Sequence, residues 1–459
     1  MLDGCTPWPQ EFVDRYWAAG HWRGNTLDNL LRGWALEHGP RTALVHGATR
    51  LSYAALNRRV DRRAAGFHLR GLRPGQRVLV QLPNVAECVV TAFALMRVGT
   101  VPVFCPLSLG APATSRVARV TQAVGYVGPA AYRGFDHLGT VARIAAERPF
   151  LRRVFTYEEP GTSSPYGGVR TDPSGCHYFP LDSVDSPPRP ALVQGADQVA
   201  FLLLSDDDRG GDGGGDGDAT RPLLVPRTHD DFAHQARAAA ALVSLTEEDV
   251  YLAALPAGSP LALGGPGILG TLSVGGTVVL AGDPGPEECL PLLAREGVTV
   301  TTVVADVARR WADALDTGAA APDAGPGRLR LVQFAGAPVP RTVLERTGRA
   351  LDCRTQQVLG GPEGLLALTR PGDPDEAVLT TQGRPLSPDH ELRLVGADGA
   401  EVPDGEPGSL LVRGPSTVRG YYRAPEQDAR AFTADGWFRT GLRARRTPDG
   451  DLVVTGPRT

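Results

Sequence analysis

The chain has 459 residues, 42% hydrophobic and 21% charged, with a formal net charge of -4. That length gives two to four lobes with ample core, and that composition belongs to globular proteins of the water-soluble class. No basic block is present, no apolar run reaches transmembrane length and residues 1–20 lack a signal-peptide plan, which argues against nucleic-acid and membrane partners and predicts a cytoplasmic protein.

After a Thr6-Pro-Trp-Pro entry, residues 11–19 read as a helix. Residues 26–38 predict an amphipathic helix capped by Thr26, with Leu27, Leu30, Leu31 and Trp34 on one face. Residues 43–45 read as a strand, and Leu51 starts a helix that runs to Gly71. A turn at Pro74-Gly75 leads into a strand over 77–82 stopped by Pro83-Asn84; a helix over 87–98 closes on Gly99 and a strand follows over 100–105. This alternation indicates a parallel α/β sheet. It continues over 112–158, and residues 159–196, rich in Pro, Ser and Gly, read as a surface connection. A buried strand is predicted over 199–204, a second apolar run over 223–225, and a helix over 230–245 for which Thr228 is the N-cap. Strands follow over 250–255 and 277–281, with a helix between them led by Gly264 to Gly267. Residues 287–296, 298–304 and 307–314 read as helix, strand and helix. Strands over 329–334 and 354–359 end in Ala335-Gly336-Ala337-Pro338 and Gly360-Gly361-Pro362-Glu363. From Gly383 short strands over 391–395, 408–413 and 451–454 predict an antiparallel unit. The expected organisation is α/β: one α/β subdomain over 1–190, a second over 191–382 and a small β subdomain over 383–459.

All 47 basic residues are Arg, and no Lys occurs. This removes every mechanism that needs an ammonium nucleophile, a Schiff base or a phosphate-clamping Lys, and Arg is a planar, bulkier substitute. The six Cys are scattered with no CxxC pair, which predicts reduced, mostly buried thiols, and the nine His form no metal-ligand spacing.

Between the strands at 199–204 and 223–225 lies a stretch, 206–218, of six Asp, six Gly and one Arg. Strand, Gly-rich loop and strand is the layout of a backbone anion nest. The carboxylates oppose that use, since like charges ~4 Å apart repel by about 4 kcal/mol at an effective dielectric near 20. An acidic surface loop is one reading; a divalent-cation site built from the Asp cluster is the other.

The motifs TPWP at Thr6, RVDRRAAGF ending at Phe67, VLVQLPN ending at Asn84 and FALMRVGTVPVF ending at Phe104 resemble the adenylate-forming superfamily. So do VPRTHDDF at Val225, YLAALP at Tyr251, PGILG at Pro266, QQVLGGPEGL at Gln356, TQGRPLSP at Thr381, RGPSTVRGYY at Arg413 and DGWFRTG at Asp435. The likeness spans the whole chain and is greatest to 2,3-dihydroxybenzoate–AMP and salicylate–AMP ligases. It implies the large N-terminal domain of that fold, with two α/β subdomains of parallel-rich sheets and the β subdomain. It also implies an acyl-adenylate chemistry that uses ATP and Mg²⁺, with electrostatic stabilisation of the phosphates.

Carried over residue by residue, the resemblance makes Glu363 a Mg²⁺ ligand. Ser205, Thr228 and His229 fall in the phosphate motif, Gly360, Gly361 and Arg439 on the nucleotide, and Ser259, Leu261, Gly265, Gly336 and Ala337 at the acyl pocket. The departures fall on the same chemistry. Asp206 to Asp208 replace Gly and hydroxyl residues of the phosphate loop, and Leu223 stands where its Lys belongs. Ser259 and Pro260 replace a His and an Asn of the aryl pocket, and Leu442 replaces the Asp that grips the ribose. The sequence ends at Thr459, where the family has its hinge, so the small C-terminal domain and its Lys are expected to be missing.

Losing phosphate loop, Lys, ribose Asp and C-terminal domain together goes beyond drift in a working ligase, since one such contact typically contributes ~2.7–4 kcal/mol. The expectation is a non-catalytic, adenylation-like protein of a secondary-metabolite pathway. It needs no cofactor and acts as partner of a complete adenylating enzyme, another pathway enzyme or a carrier protein. The alternatives are an enzyme that uses the old aryl or acyl pocket without ATP, with His229, Asp306 and Glu363 as acid–base groups, and a ligase completed by a C-terminal domain in trans, with ATP and Mg²⁺. By residue type alone, His229 and His234 read as surface residues and Asp306 as half of a surface ion pair.

Overall fold

The computed structural model of the protein describes residues 1–159, 168–190, 194–205, 223–318, 325–336 and 338–457. The acidic stretch 206–218 and Ala337 lie outside the described residues. The alternation of strand and helix builds two large sheets. One orders its eight described strands Leu224–Thr228, Val199–Leu204, Val101–Phe104, Arg77–Val80, Gly125–Pro129, Arg153–Tyr157, His177–Pro180 and Arg170–Thr171. The other has nine, running from Arg384–Pro385 through Leu331–Ala335 and Val250–Ala253 to Thr42–His46 and Thr49–Ser52. The neighbours within each sheet are mostly parallel. The antiparallel sheet of the last third comprises Glu391–Val395, Gly408–Arg413, Phe438–Arg446 and Leu452–Pro457.

Several expectations need correction. Leu51 belongs to a strand, Thr49–Ser52, and the helix begins at Tyr53 because the Ser52 hydroxyl accepts from the Ala55 N–H at 3.2 Å. Within 159–196 the strand His177–Pro180 extends the first sheet beside Arg153–Tyr157, so that connection is partly sheet. The two sheets also interleave in sequence. Thr42–His46 pairs with Thr277–Leu280, whereas Val199–Leu204 pairs with Val101–Phe104, so a division at 190 does not separate the sheets. Pro226 sits inside Leu224–Thr228 because that strand is an edge, where a missing N–H breaks no ladder. Thr228 caps the helix His229–Leu242 as expected, in a capping box with Asp231.

The edge strand Leu224–Thr228, the loop before Glu363 and the β subdomain are tied together at Arg227, which is fully buried. Its guanidinium donates to Asp231 Oδ1 at 2.8 Å and Gln235 Oε1 at 3.0 Å on the helix His229–Leu242. It also donates to the carbonyls of Pro362 at 3.1 Å, beside Glu363, and Ser416 at 3.2 Å in the β subdomain. A buried cation is tolerated only when its donors are satisfied in this way. Replacing it by Met leaves Asp231 buried without its cation, so Arg227→Met is expected to lower the unfolding free energy by about 3–5 kcal/mol, read from urea denaturation.

A second junction is a stack of imidazoles. The rings of His21 and His234 lie 4.5 Å apart and those of His234 and His390 5.6 Å apart, one from each unit. His21 Nε2 is 2.7 Å from Asp389, which with Glu391 also binds Arg15, and Arg237 and Arg23 flank the stack. Ser387 and Ser416 hydroxyls hold the two nitrogens of His390 at 2.9 and 2.7 Å. Burial, then the neighbouring imidazoles, push His234 down to about 2, and burial pushes His390 down to about 3. The native rings of His234 and His390 therefore stay neutral while unfolded ones take up protons near pH 6.5, so their contribution is intact above about 6.5 and is lost as pH falls toward about 3. Urea midpoints between pH 7.5 and pH 5 are expected to fall, and His390→Gln to flatten the slope by up to about 1.4 kcal/mol per pH unit.

Candidate functional site

A cavity of about 420 Å³ opens between the two sheets at the carboxyl ends of their parallel strands, where ligands of open α/β sheets bind. Its first wall follows strands Arg77–Val80, Val101–Phe104 and Val199–Leu204 and carries Phe104, Leu203 and Leu204; the opposite wall carries Pro256, Ser259 and Pro260. Asn84, read in the sequence as a strand stop, fixes that opposite wall: its amide donates to the Ala253 and Leu255 carbonyls and accepts from the Ala257 N–H at 2.7 Å. Arg133 and Asp283 form an ion pair at the rim. The hydroxyl of Ser259 is buried with no hydrogen-bond partner among the described residues, so a polar atom of the wall is left for a ligand to satisfy. Cys88 and Cys105 also line the cavity, and burial pushes both thiols up to about 12, which keeps them protonated and unreactive near neutrality.

Beside Leu203 and Leu204 a polar group forms around Glu363, which is buried after the turn that ends strand Arg354–Gly360. Its Oε1 accepts from the Ser205 hydroxyl at 2.6 Å and from the Tyr421 hydroxyl at 3.1 Å. Gly361 lies against this carboxylate, since a Cβ there would stand 3.1 Å from Oε2. Ser205 N–H donates to the Leu223 carbonyl at 2.9 Å, so the described residues on either side of 206–222 meet here. Ser205, Gly361 and Glu363 are thus brought together, and Tyr421, which belongs to the RGPSTVRGYY stretch but is not among the site residues the resemblance implies, joins them. Among the described residues no three His, Cys, Asp or Glu converge as a metal site. Glu363 alone fits Mg²⁺ when substrate phosphates supply other ligands. Leu442, on the strand Phe438–Arg446, is partly buried and packs against the main core. Leu223 is likewise buried, as an apolar part of that core. Arg439 lies on strand Phe438–Arg446, opposite Leu411.

Leu261, Gly265 and Gly360 form a separate apolar group. The Leu261 side chain stands where Cβ atoms at Gly265 and Gly360 would come within 2.8 and 3.1 Å of its Cδ2, so both glycines make room for it. Gly336, with φ of +104°, borders open space. Two acid–base candidates are not at the cavity. His229 is buried, not at the surface; its Nδ1 accepts from the Leu27 N–H at 3.1 Å and burial pushes its pKa down to about 4, so it serves as a neutral cap. His234 is also buried, in the imidazole stack. Asp306 is exposed and pairs with Arg309 and Arg310 on its own helix, which is the surface pair expected and not a catalytic placement. The thiols are free, four buried and two partly so. No helix among the described residues is long and apolar enough to cross a membrane.

Residues 31–202 and 220–422 match the family model described as AMP-binding enzyme. The chain is 41% identical over 459 residues to a 2-hydroxy-7-methoxy-5-methyl-1-naphthoate–CoA ligase of Streptomyces carzinostaticus, covering 99% of this chain and 78% of that one. It is 41% identical to a salicyl-AMP ligase / salicyl-S-ArCP synthetase of Mycobacterium tuberculosis, with 99% and 77% covered. It is 38% identical to the 2,3-dihydroxybenzoate-AMP ligase of Bacillus subtilis, with 99% and 79% covered. The apo structure of Mycobacterium smegmatis MbtA superposes with a TM-score of 0.86 at 39% identity, covering 99% of this chain and 80% of that one. By matched family model, identity across nearly its full length and shared fold, the chain belongs to the AMP-binding, adenylate-forming enzyme family.

Proposed function

We propose that this protein is an adenylation-like member of the aryl-acid branch that does not perform ATP-dependent adenylation and works beside a complete ligase or a carrier protein of a secondary-metabolite pathway. The observation that carries this reading is Leu442. The stretch Arg439 to Leu442 keeps its strand, with Gly441 at positive φ, yet the position that the resemblance assigns to the ribose is an apolar side chain packed on the core. Leu223 at the position of the phosphate-loop Lys, in a chain without any Lys, removes the cation from the same reaction. A second reading has its own support. The cavity with the unpartnered Ser259 hydroxyl suits an aryl or acyl group, so the old pocket could serve acyl chemistry without ATP.

The relatives named above are ligases, and one assay separates this chain from them. Pyrophosphate exchange into ATP, driven by salicylate, 2,3-dihydroxybenzoate or a hydroxynaphthoate, is expected to stay at the rate without protein. Exchange above it would overturn the reading and make the chain a working ligase. Leu442→Asp restores a carboxylate and is expected to tighten ATP–Mg²⁺ binding, followed by calorimetry, by about tenfold or more. An unchanged affinity would show that the ribose contact is not what was lost.

A further inference from the structure

On the far side of helix His229–Leu242 from Glu363 lies a second cleft of about 430 Å³, which shares no lining residue with the cavity between the sheets. Its floor is apolar, made by Leu27 and Trp34 of helix Leu27–Glu37, Ala236 and Ala240 of helix His229–Leu242, and Leu269. One end is cationic. Arg23 Nε donates to the Gly20 carbonyl at 3.2 Å, and Arg237 Nη2 reaches the same oxygen at 3.4 Å and the His21 carbonyl at 2.8 Å. Two guanidinium groups therefore converge on one neutral acceptor, and neither forms an ion pair among the described residues. The nearby carboxylate, Asp230, is taken up by the N–H groups of Arg23 and Gly24 at 3.0 and 2.9 Å. Burial, then the charge of Arg23, push the Arg237 guanidinium down to about 10, as expected of a cation short of an anion.

We propose that this cleft is a binding site for a small apolar monocarboxylate, whose carboxylate bridges Arg23 and Arg237 and whose hydrocarbon body lies on Trp34, Leu27 and Leu269. Two convergent guanidinium forks match a carboxylate bidentately, one net positive charge remains once Asp230 is counted, and the volume is that of a small-molecule site. Because the floor joins helices Leu27–Glu37, His229–Leu242 and Gly267–Ser273, an occupant stiffens that junction. The site stands apart from the nucleotide and acyl positions and does not depend on the reading given to them.

Calorimetric titration with 1-naphthoate, and with neutral 1-naphthylmethanol, tests it on the full chain. Binding of the acid is expected, with the alcohol weaker by about tenfold or more. Arg237→Gln is expected to weaken the acid to the level of the alcohol. Ala241→Trp fills the mouth from an exposed position and is expected to abolish binding of both. Ser259→Phe, which obstructs the other cavity, is expected to leave this binding in place. No heat with the acid overturns the proposal, as does equal binding of acid and alcohol. Binding that survives Ala241→Trp and disappears with Ser259→Phe also overturns it, and leaves the aryl-pocket reading standing.

Discussion

The structure depends on one buried cation. Arg227 stands on the edge strand of the first sheet, and its donors end on the helix His229–Leu242, on the loop that presents Glu363 and on the β subdomain. Hydrogen bonds to carbonyl oxygens fix distances more tightly than apolar contact does, because a donor left unmade in the interior is costly. The same guanidinium also lies over the ring of Phe232 at 4.7 Å, so its apolar face is covered as well. With Arg227 in place, Glu363 has one position relative to Ser205 and Tyr421.

Around that anchor the family's site has split in character. The group near Glu363 keeps oxygen atoms in the arrangement a phosphate-bound cation could use. Leu223 is buried in the main core and Leu442, partly buried, packs against it. Hydrophobic packing and nucleotide recognition are exclusive at such positions, because a carboxylate on the core would be desolvated without a partner. Leucine side chains at such positions stabilise the fold by the apolar area they remove from water.

A chain whose cations are all arginines also has a particular electrostatic style. Most guanidinium groups of the described residues are absorbed by carboxylates, as at Arg330–Asp249 and Arg97–Asp61, or by carbonyl oxygens, as at Arg370. Arg23 and Arg237 differ in sharing one carbonyl. The planar fork allows five donors to be satisfied inside a protein, which a point-charge ammonium does not permit in the same geometry.

Much of this was legible from the chain alone. Period and punctuation located the strand Val199–Leu204, the cap at Thr228 and the stop at Gly99, because each depends on its neighbours in sequence. The motifs established the family, and the residue types at 223 and 442 are what the proposed loss of adenylation rests on. Tertiary structure decided the rest. It paired Thr42–His46 with a strand more than two hundred residues away, a contact set by the burial of both faces of a parallel sheet. It turned His229 and His234 from expected surface residues into buried neutral groups and left Asp306 outside, since burial of a polar side chain follows from what packs over its helix. It gave Tyr421 its place at Glu363, and it brought Arg23 to Arg237, because a hydrogen bond between residues far apart in the chain leaves no local pattern to read.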